Sequence, residues 1–133
     1  MPQLKAAEFR PIARELWGSF CEGFSEQHQG RMATVAEVDT AMLERRPLTA
    51  YAASLLIADD EPFQRLALDA AERPGCVVRV GARKEVEHSL PEVVGVYLHC
   101  NEEGAHRGVR IDAASNTSLI VNFRHPAIPD PHH

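Results

Sequence analysis

The side chains best suited to chemistry in this sequence are three histidines and a cysteine, His88, His99, Cys100 and His106. Imidazole nitrogens and thiolates are preferred zinc ligands, and they also act as bases and nucleophiles. Adjacent residues on a β-strand face opposite ways, so His99 and Cys100 are poorly placed to ligate one ion together. A cysteine nucleophile needs a neighbouring base that lowers its pKa, and the spacing supplies none. We therefore predict no metal, no cofactor and no catalytic residue, and keep these four side chains as candidate ligand-binding residues.

Two further residues with reactive side chains have structural interpretations. Cys21 borders an apolar helical stripe, so we expect it to pack as a small hydrophobic residue. His28 falls in the last turn of the same predicted helix, where the helix dipole favours an imidazolium and its N–H can donate to an unpaired carbonyl. The sequence also contains no Walker phosphate loop, H-E-x-x-H, C-x-x-C or G-x-S-x-G signature. These observations lower the expectation of an enzyme.

The composition indicates one globular domain over residues 1–133 that binds neither nucleic acid nor membrane. The chain is 133 residues long and 44% hydrophobic, enough for a single core. Its 14 basic residues are outnumbered by 19 acidic ones, which leaves no basic excess for phosphates. No apolar run approaches the roughly 20 residues that cross a bilayer. Three scattered cysteines fit a reducing compartment, and we expect the protein in the cytoplasm.

The clearest predicted element is an amphipathic helix over about residues 10–29, near the N-terminus. Pro11 suits its first turn, and Gly30 suits the left-handed residue that ends a helix. Burial of its apolar stripe would anchor the fold, with Phe20 as one of the main core residues. The stripe consists of Phe9, Ile12, Ala13, Leu16, Trp17, Phe20 and Phe24.

A β-rich body is predicted over about residues 31–125. Residues 32–38 alternate with period two, and four later runs are rich in strand-forming residues. Gly104 and Asn116 are the residues best able to take positive φ in the two turns that separate the last three strands. The fold class is therefore α+β, mainly β, with the helix packed on an antiparallel meander sheet or a small β-barrel. The four later runs are CVVRVGA, VVGVYLHC, GVRI and SLIVNF.

Three segments are less well determined by their patterns. Residues 60–72 fit both a helical stripe and a strand alternation, and periodicity alone does not choose between them. Residues 40–58 are similarly open between a strand with its turn and a short helix. Residues 126–133 carry three prolines and are expected to form an extended tail.

Several of these residues resemble a family of small bacterial domains of unknown function. The likeness extends over most of residues 12–129 and includes the segments at 66–69 and 88–91. It departs from the family at 113–116, where Asp-Gly is more usual, and residues 39–63 do not align. The opening motif W-x-x-F-x-x-x-F-S-x-x-H-x-G is formed by Trp17, Phe20, Phe24, Ser25, His28 and Gly30, and SLIVNFRHPAIP is similar to a closing T-x-L-x-F-x-x-P.

The resemblance implies an N-terminal helix on a β-rich body, and it favours a strand over a helix for residues 66–71. It implies no activity and no catalytic residue. Combined with the absence of catalytic signatures, it leads us to predict a non-enzymatic protein-binding or self-assembly module, with a homodimer as a natural result of unpaired strand edges. The alternative is a small-molecule or enzymatic site inside the β body that uses His88, His99 and Cys100.

Overall fold

The structure is a computed structural model that describes residues 8–45, 55–69, 72–101 and 104–127. Within these residues the chain forms eight β-strands and two α-helices. The helices are α1 (Trp17–His28), preceded by a 3-10 turn at Arg14–Leu16, and α2 (Thr40–Arg45). The strands are β1 (Glu8–Pro11), β2 (Met32–Asp39), β3 (Leu55–Leu68), β4 (Cys76–Val80), β5 (Val86–Leu90), β6 (Val93–Cys100), β7 (His106–Ala113) and β8 (Thr117–Ala127).

All eight strands join one antiparallel sheet in the order β1-β6-β7-β8-β2-β3-β4-β5. The sheet is open, with β1 and β5 at its edges. Two meanders, β2 to β5 and β6 to β8, are joined where β8 pairs with β2 from Ala33↔Phe123 to Asp39↔Thr117. The predicted mainly β, antiparallel class is confirmed, with two meanders in place of a single one.

The chain connectivity requires this sheet to curl strongly. Edge strand β5 and strand β6 are separated by six inter-strand spacings in the sheet, about 29 Å if the sheet were flat. Only Pro91 and Glu92 connect them in sequence, and a connection of that length spans about 11 Å at most. The start of β6 is also held near β4 by a hydrogen bond of 2.8 Å from the Val93 N–H to the Pro74 carbonyl. The two ends of the sheet therefore approach each other around its concave side.

The concave side, which we call the inner face, carries the main hydrophobic core. Its centre is a set of aromatic rings from α1, β3 and β8, in which Phe24 lies 5.6 Å from Phe63 and 5.7 Å from Phe123 between ring centroids. Apolar side chains of β2 to β8 join these rings. The opposite, outer face carries a smaller apolar cluster of Val38, Leu43 and Ile120 beside α2.

The predicted N-terminal helix begins later than expected and is not the first element. Phe9 and Pro11 lie in β1, which pairs with β6 from Glu8↔Cys100 to Pro11↔Tyr97. Helical geometry starts only after Ala13, whose φ of −60° and ψ of 140° are extended. The ladder with β6 thus replaces the first predicted helical turn, because it satisfies the backbone groups of β1 that a helix would otherwise pair.

The buried stripe of α1 is also rotated relative to the prediction. Leu16 is 54% exposed, and Phe20 is only partly buried at the margin of the core. The prediction of Phe20 as a central core residue is therefore wrong, and Phe24, at 3% exposure, takes that position. The buried residues of α1 are Trp17, Cys21, Phe24, Ser25 and His28.

The strand predictions are largely confirmed. Strand β2 and the strands in the four later runs form as expected, and Gly30, Gly104 and Asn116 take positive φ values of 90°, 83° and 63°. Residues 66–68 end β3, so the strand interpretation is confirmed for them; residue 69 lies beyond the end of β3, and residues 70 and 71 lie outside the described residues.

Other boundaries differ from the prediction. Residues 40–45 are helical, and residues 46–54 lie outside the described part of the chain. Strand β8 continues to Ala127, so the predicted tail from 126 begins too early, and residues 128–133 are likewise not described. Strand β5 was not predicted. No helix within the described ranges is long and apolar enough to cross a bilayer.

Candidate functional site

The four candidate residues of the sequence analysis do not converge on one site. His99 and Cys100 are neighbours on β6 with opposite facing directions, and Cys100 pairs with His106 across the ladder to β7. His88 lies on edge strand β5 and contacts β2 instead. In the described part of the chain, no three His, Cys, Asp or Glu side chains come close enough to share a metal ion.

His106 forms a pair on the inner face with His28, the last residue of α1. The Nε2 atom of His28 lies 2.9 Å from the Nδ1 atom of His106, so one ring donates to the other. Aromatic rings enclose the pair, with Phe24 at 4.7 Å and Phe123 at 5.0 Å from the His28 ring centroid. His28 is fully buried, and its Nδ1 atom has no hydrogen-bond partner.

Burial keeps the His28 and His106 pair uncharged. Desolvation, together with the charges of His106 and Arg31, lowers the pKa of His28 to about 4. Desolvation and the nearby charges of Arg10 and Arg31 also lower the pKa of His106. The expectation of a His28 imidazolium bonded to a helix carbonyl is therefore wrong, because burial disfavours the cation more than the helix dipole favours it.

His88 is held at the rim of the inner face by Glu37. Its Nε2 atom lies 2.5 Å from Oε2 of Glu37 on β2, and both side chains are about four-fifths buried, with exposed fractions of 22% and 21%. The contact crosses from the edge strand to a strand three positions away in the sheet, which the curl makes possible. A carboxylate commonly orients a histidine that acts as a general base. Among the described residues, however, no nucleophilic side chain lies against His88.

The outer face carries a hydrogen-bonded network centred on Arg110 of β7. Its guanidinium binds both carboxylate oxygens of Asp112, at 2.8 and 3.0 Å, and lies between the rings of Phe9 and Tyr97 at 5.0 and 5.1 Å. The Ser118 hydroxyl donates to Asp112 at 2.7 Å. Because the carboxylate is satisfied from two sides, this network is suited to rigid support of the sheet.

His99 lies on the same outer face, stacked on Phe9 of β1 with ring centroids 4.7 Å apart. It is 3% exposed, and its Nδ1 atom has no hydrogen-bond partner. Desolvation, and secondarily the charge of Arg107, lower the pKa of His99 to about 4. The ring is therefore neutral at pH 7.

The cysteines are buried, and two of them have raised pKa values. Desolvation raises the pKa of Cys21 to about 12, and it also raises the pKa of Cys76, with a further contribution from Cys21. A thiol nucleophile needs the opposite shift. The prediction that Cys21 packs in the core is confirmed by its 1% exposure.

The residues that organise both faces were mostly missed by the sequence analysis. Arg110 and Asp112 are two apart on a strand, so they share a face and could have been predicted as an ion pair. Glu37 and His88 are 51 residues apart, and no local pattern connects them.

In comparisons with known proteins, no family model, no curated protein and no solved structure matches the chain. The resemblance to a bacterial domain family thus stays a prediction.

Proposed function

We propose that the protein is a non-enzymatic module that binds through the free edge of β5, and that its partner is a second copy of the same chain. The proposal is carried by the position of β5 at the end of the sheet, where no other described strand pairs with its outer side. Unpaired backbone N–H and C=O groups on such an edge can add a further strand.

The other sheet edge is less suited to assembly. Strand β1 has four residues and ends at Pro11, which has no N–H to donate to a ladder. Strand β5 has five residues and contains no proline. The clefts described around the molecule also favour edge binding over an internal site. For example, the groove of about 340 Å³ between α1 and the β3–β4 hairpin is open and lined largely by charged and amide side chains.

The charges of β5 select one register for a symmetric pair. Directly opposed residues of antiparallel strands share a face, so a two-fold axis must centre on a residue. Centring on Glu87 would oppose two like charges, and centring on Ser89 would bring Pro91 into the ladder. A pair centred on His88 places Glu87 opposite the second copy's Ser89. This register avoids both the repulsion between like charges and a proline in the ladder.

The same register pairs the apolar residues of the strand. Val86, at 40% exposure, would lie opposite the second copy's Leu90. The two His88 rings would meet at the axis, each held by its own Glu37. Cross-strand apolar pairs stabilise antiparallel sheets, and here two equivalent pairs form at once.

The experiment replaces Ser89, which is exposed, with residues of opposite charge. Sedimentation velocity at micromolar concentration should show a dimer for the wild type. Ser89→Glu opposes Glu87 twice across the axis and should weaken the dimer roughly tenfold, since each like-charge pair costs up to about 1 kcal/mol. The matched variant Ser89→Lys should dimerise at least as well as the wild type.

A charge swap tests the register independently. Glu87→Lys combined with Ser89→Glu should restore the dimer that Ser89→Glu alone loses. A wild-type protein that is monomeric at about 100 μM would overturn the proposal. Its free energy of dimerisation would then be smaller than about 5 kcal/mol. Equal weakening by Ser89→Glu and Ser89→Lys would overturn the register.

A further inference from the structure

Glu37 and His88 place two metal-ligating atoms at one point of a single chain. Nε2 of His88 lies 2.5 Å from Oε2 of Glu37, and both side chains are about four-fifths buried. Imidazole nitrogens and carboxylate oxygens are both zinc ligands in proteins, and structural zinc sites hold four such ligands. Within the described part of one chain, no third His, Cys, Asp or Glu side chain completes a metal-binding group. The pair is therefore half of a tetrahedral set.

The dimer proposed above supplies the other half. In the register centred on His88, the two copies of this residue lie directly opposite each other, so their side chains share a face and their Cβ atoms are about 4.5–5.5 Å apart. Each Cβ is then less than about 3 Å from the two-fold axis. Because Glu37 contacts His88 in each copy, the same axis relates the two carboxylates. Two imidazoles and two carboxylates thus surround the axis.

Both kinds of ligand reach the axis from the inner face. His88 lies opposite Val78 of β4, a residue of the main core, and opposed residues share a face. Glu37 is two residues along β2 from Val35, which also belongs to that core. The contact between Glu37 and His88 therefore lies beneath edge strand β5, on the side where the second copy adds its own pair.

We propose that one Zn²⁺ ion binds at the two-fold axis of the β5 dimer, coordinated by His88 and Glu37 of both copies. This inference rests on the proposed dimer. Each His88 coordinates through Nε2 and carries its proton on Nδ1, and each Glu37 coordinates through Oε2. At metal–ligand lengths of about 2.0–2.2 Å these two atoms would lie about 3.3 Å apart, so the 2.5 Å contact opens by less than about 1 Å. The sequence predicted no metal from the ligands of one chain, which holds only half of the set.

The charge of the four ligands favours a divalent cation. Metal-bound imidazoles are neutral, so the ligand set carries one negative charge for each carboxylate. In a dimer without metal, neutral rings would leave the two Glu37 carboxylates close together in a mostly buried position, where like charges repel. One Zn²⁺ ion neutralises both carboxylates, and its binding therefore favours association.

The ligand types and their surroundings favour zinc over the hard cations. Mg²⁺ and Ca²⁺ take six or more oxygen ligands, whereas two imidazole nitrogens with two carboxylates suit four-coordinate zinc. In the same register Val86 of each chain lies opposite the second copy's Leu90, so an apolar pair flanks the site on each side along the ladder. An apolar shell of this kind limits the access of water to a metal site.

The test measures dimerisation by sedimentation velocity in EDTA and in zinc chloride. Zinc at about 100 times the dissociation constant of the site should tighten the dimer roughly 100-fold, because only the dimer holds all four ligands. Elemental analysis of the isolated dimer should give one zinc ion for two chains. A dimer in EDTA that zinc does not tighten would overturn the zinc site and leave the β5 dimer standing. A protein that is monomeric in both buffers at about 100 μM would overturn the dimer, and the site with it.

Variants of the ligands distinguish this site from zinc bound elsewhere on the surface. His88→Gln should abolish the tightening by zinc, whereas His125→Gln, which changes an exposed histidine of β8, is the matched control and should retain it. Glu37→Gln keeps a hydrogen-bonding group beside His88 and removes the anionic ligand, so it tests the site if His88→Gln fails to fold. It should reduce the tightening from roughly 100-fold to less than about tenfold. Full tightening in either folded ligand variant would overturn the site.

Substitutions at Ser89 test whether two chains share the metal, because this residue changes the dimer without being a ligand. Binding and association are reciprocally coupled, so Ser89→Glu, which weakens the dimer roughly tenfold, should weaken metal binding to a similar extent where the metal-free protein is mostly monomeric. The matched variant Ser89→Lys should bind metal at least as well as the wild type. Co²⁺ is the probe, since its visible absorption reports tetrahedral coordination. Equal Co²⁺ affinity in Ser89→Glu and the wild type would place the metal within one chain and overturn the proposal.

Discussion

On the inner face of the sheet, the buried histidines His28 and His106 are bonded to each other and enclosed by aromatic rings. On the outer face, His99 is buried to a similar degree as His28 but stacks on one ring and bonds to nothing through Nδ1. Arg110 and Asp112, which lie on the same outer face in β7, are bonded to each other through both carboxylate oxygens. The outer face therefore carries two kinds of buried polar group. The Arg110–Asp112 pair is hydrogen-bonded and supports the sheet, whereas His99 Nδ1 has no partner.

The two faces differ in what surrounds their buried histidines. On the inner face, α1 and the rings of Phe24, Phe63 and Phe123 enclose the polar pair. At Gly108 of β7, the backbone of β8 approaches so closely that no side chain fits. Burial alone therefore does not identify a functional site, because a buried histidine can be bonded to another side chain, as His28 is through Nε2, or can be stacked with an unpartnered Nδ1 atom, as His99 is.

The largest effect should come from the inner face. Phe24→Ala removes the ring that contacts Phe63, Phe123 and His28, and it should lower the free energy of unfolding by about 3–5 kcal/mol. Urea titration measures this loss. Phe20→Ala is the matched control on the same helix and should cost clearly less, because Phe20 is only partly buried. A larger loss for Phe20→Ala would show that the helix packs in the phase that the sequence predicted.

The contrast between Phe20 and Phe24 shows what the sequence could determine. Both lie on one helical stripe of the pattern, and only the position of the sheet decides which faces the core. The alternation in β2 and the runs of strand-forming residues in β6 and β8 were sufficient to predict these strands. Phe9 was assigned to the helix because its spacing from Ile12 also fits a helical stripe.

The missed elements share a physical reason. Strand β5, with the sequence VEHSL, has too few apolar residues for a recognisable alternation, and it is stabilised by pairing with β4. The contact between His88 and Glu37 depends on the curl of the whole sheet. The alignment of His99, Gly108 and Asn122 across β6, β7 and β8 depends on the register of these three strands, of which only the order of neighbours was predictable.

On the outer face, loss of Asp112 should be the most costly change. Asp112→Ala leaves the Arg110 guanidinium, whose side chain is 12% exposed, without its carboxylate, and should cost about 3 kcal/mol. The exposed pair of Arg73 and Glu92 provides the control, and Arg73→Ala should change stability by less than about 1 kcal/mol. Similar small losses in both variants, measured by urea titration, would show that the Arg110 network is solvated and that the outer face is open.

Acid should destabilise the protein through both faces. The pKa of His28 and that of His99 fall from 6.5 in the unfolded chain to about 4 in the fold. Between these values the unfolded state binds protons that the folded state does not, so stability falls as the pH drops from about 6.5 to 4 and levels off below. For each histidine the loss from pH 7 to pH 4.5 should be about 2 kcal/mol.

His28→Phe and His99→Phe should each remove one part of this pH dependence in urea titrations at pH 7 and 4.5. Suppose that only one of the two phenylalanine variants changes the difference in stability between pH 7 and pH 4.5. The histidine on the other face is then already solvated, and the two faces differ in burial as well as in bonding.

The smallest effect concerns the position of one proton on the inner face. If His106 Nδ1–H donated to His28 Nε2, then His28 would carry its proton on Nδ1, which has no acceptor and is fully buried. An unpaired buried N–H is more costly than an unpaired lone pair, so we expect His28 Nε2–H to donate to His106 Nδ1, with His106 protonated on Nε2. Long-range ¹H–¹⁵N correlation spectra at pH 7 distinguish the two tautomers directly. A His28 ring protonated on Nδ1 would mean that this atom has a partner, such as a buried water, and the inner face would then differ from the outer face, where Nδ1 of His99 has none.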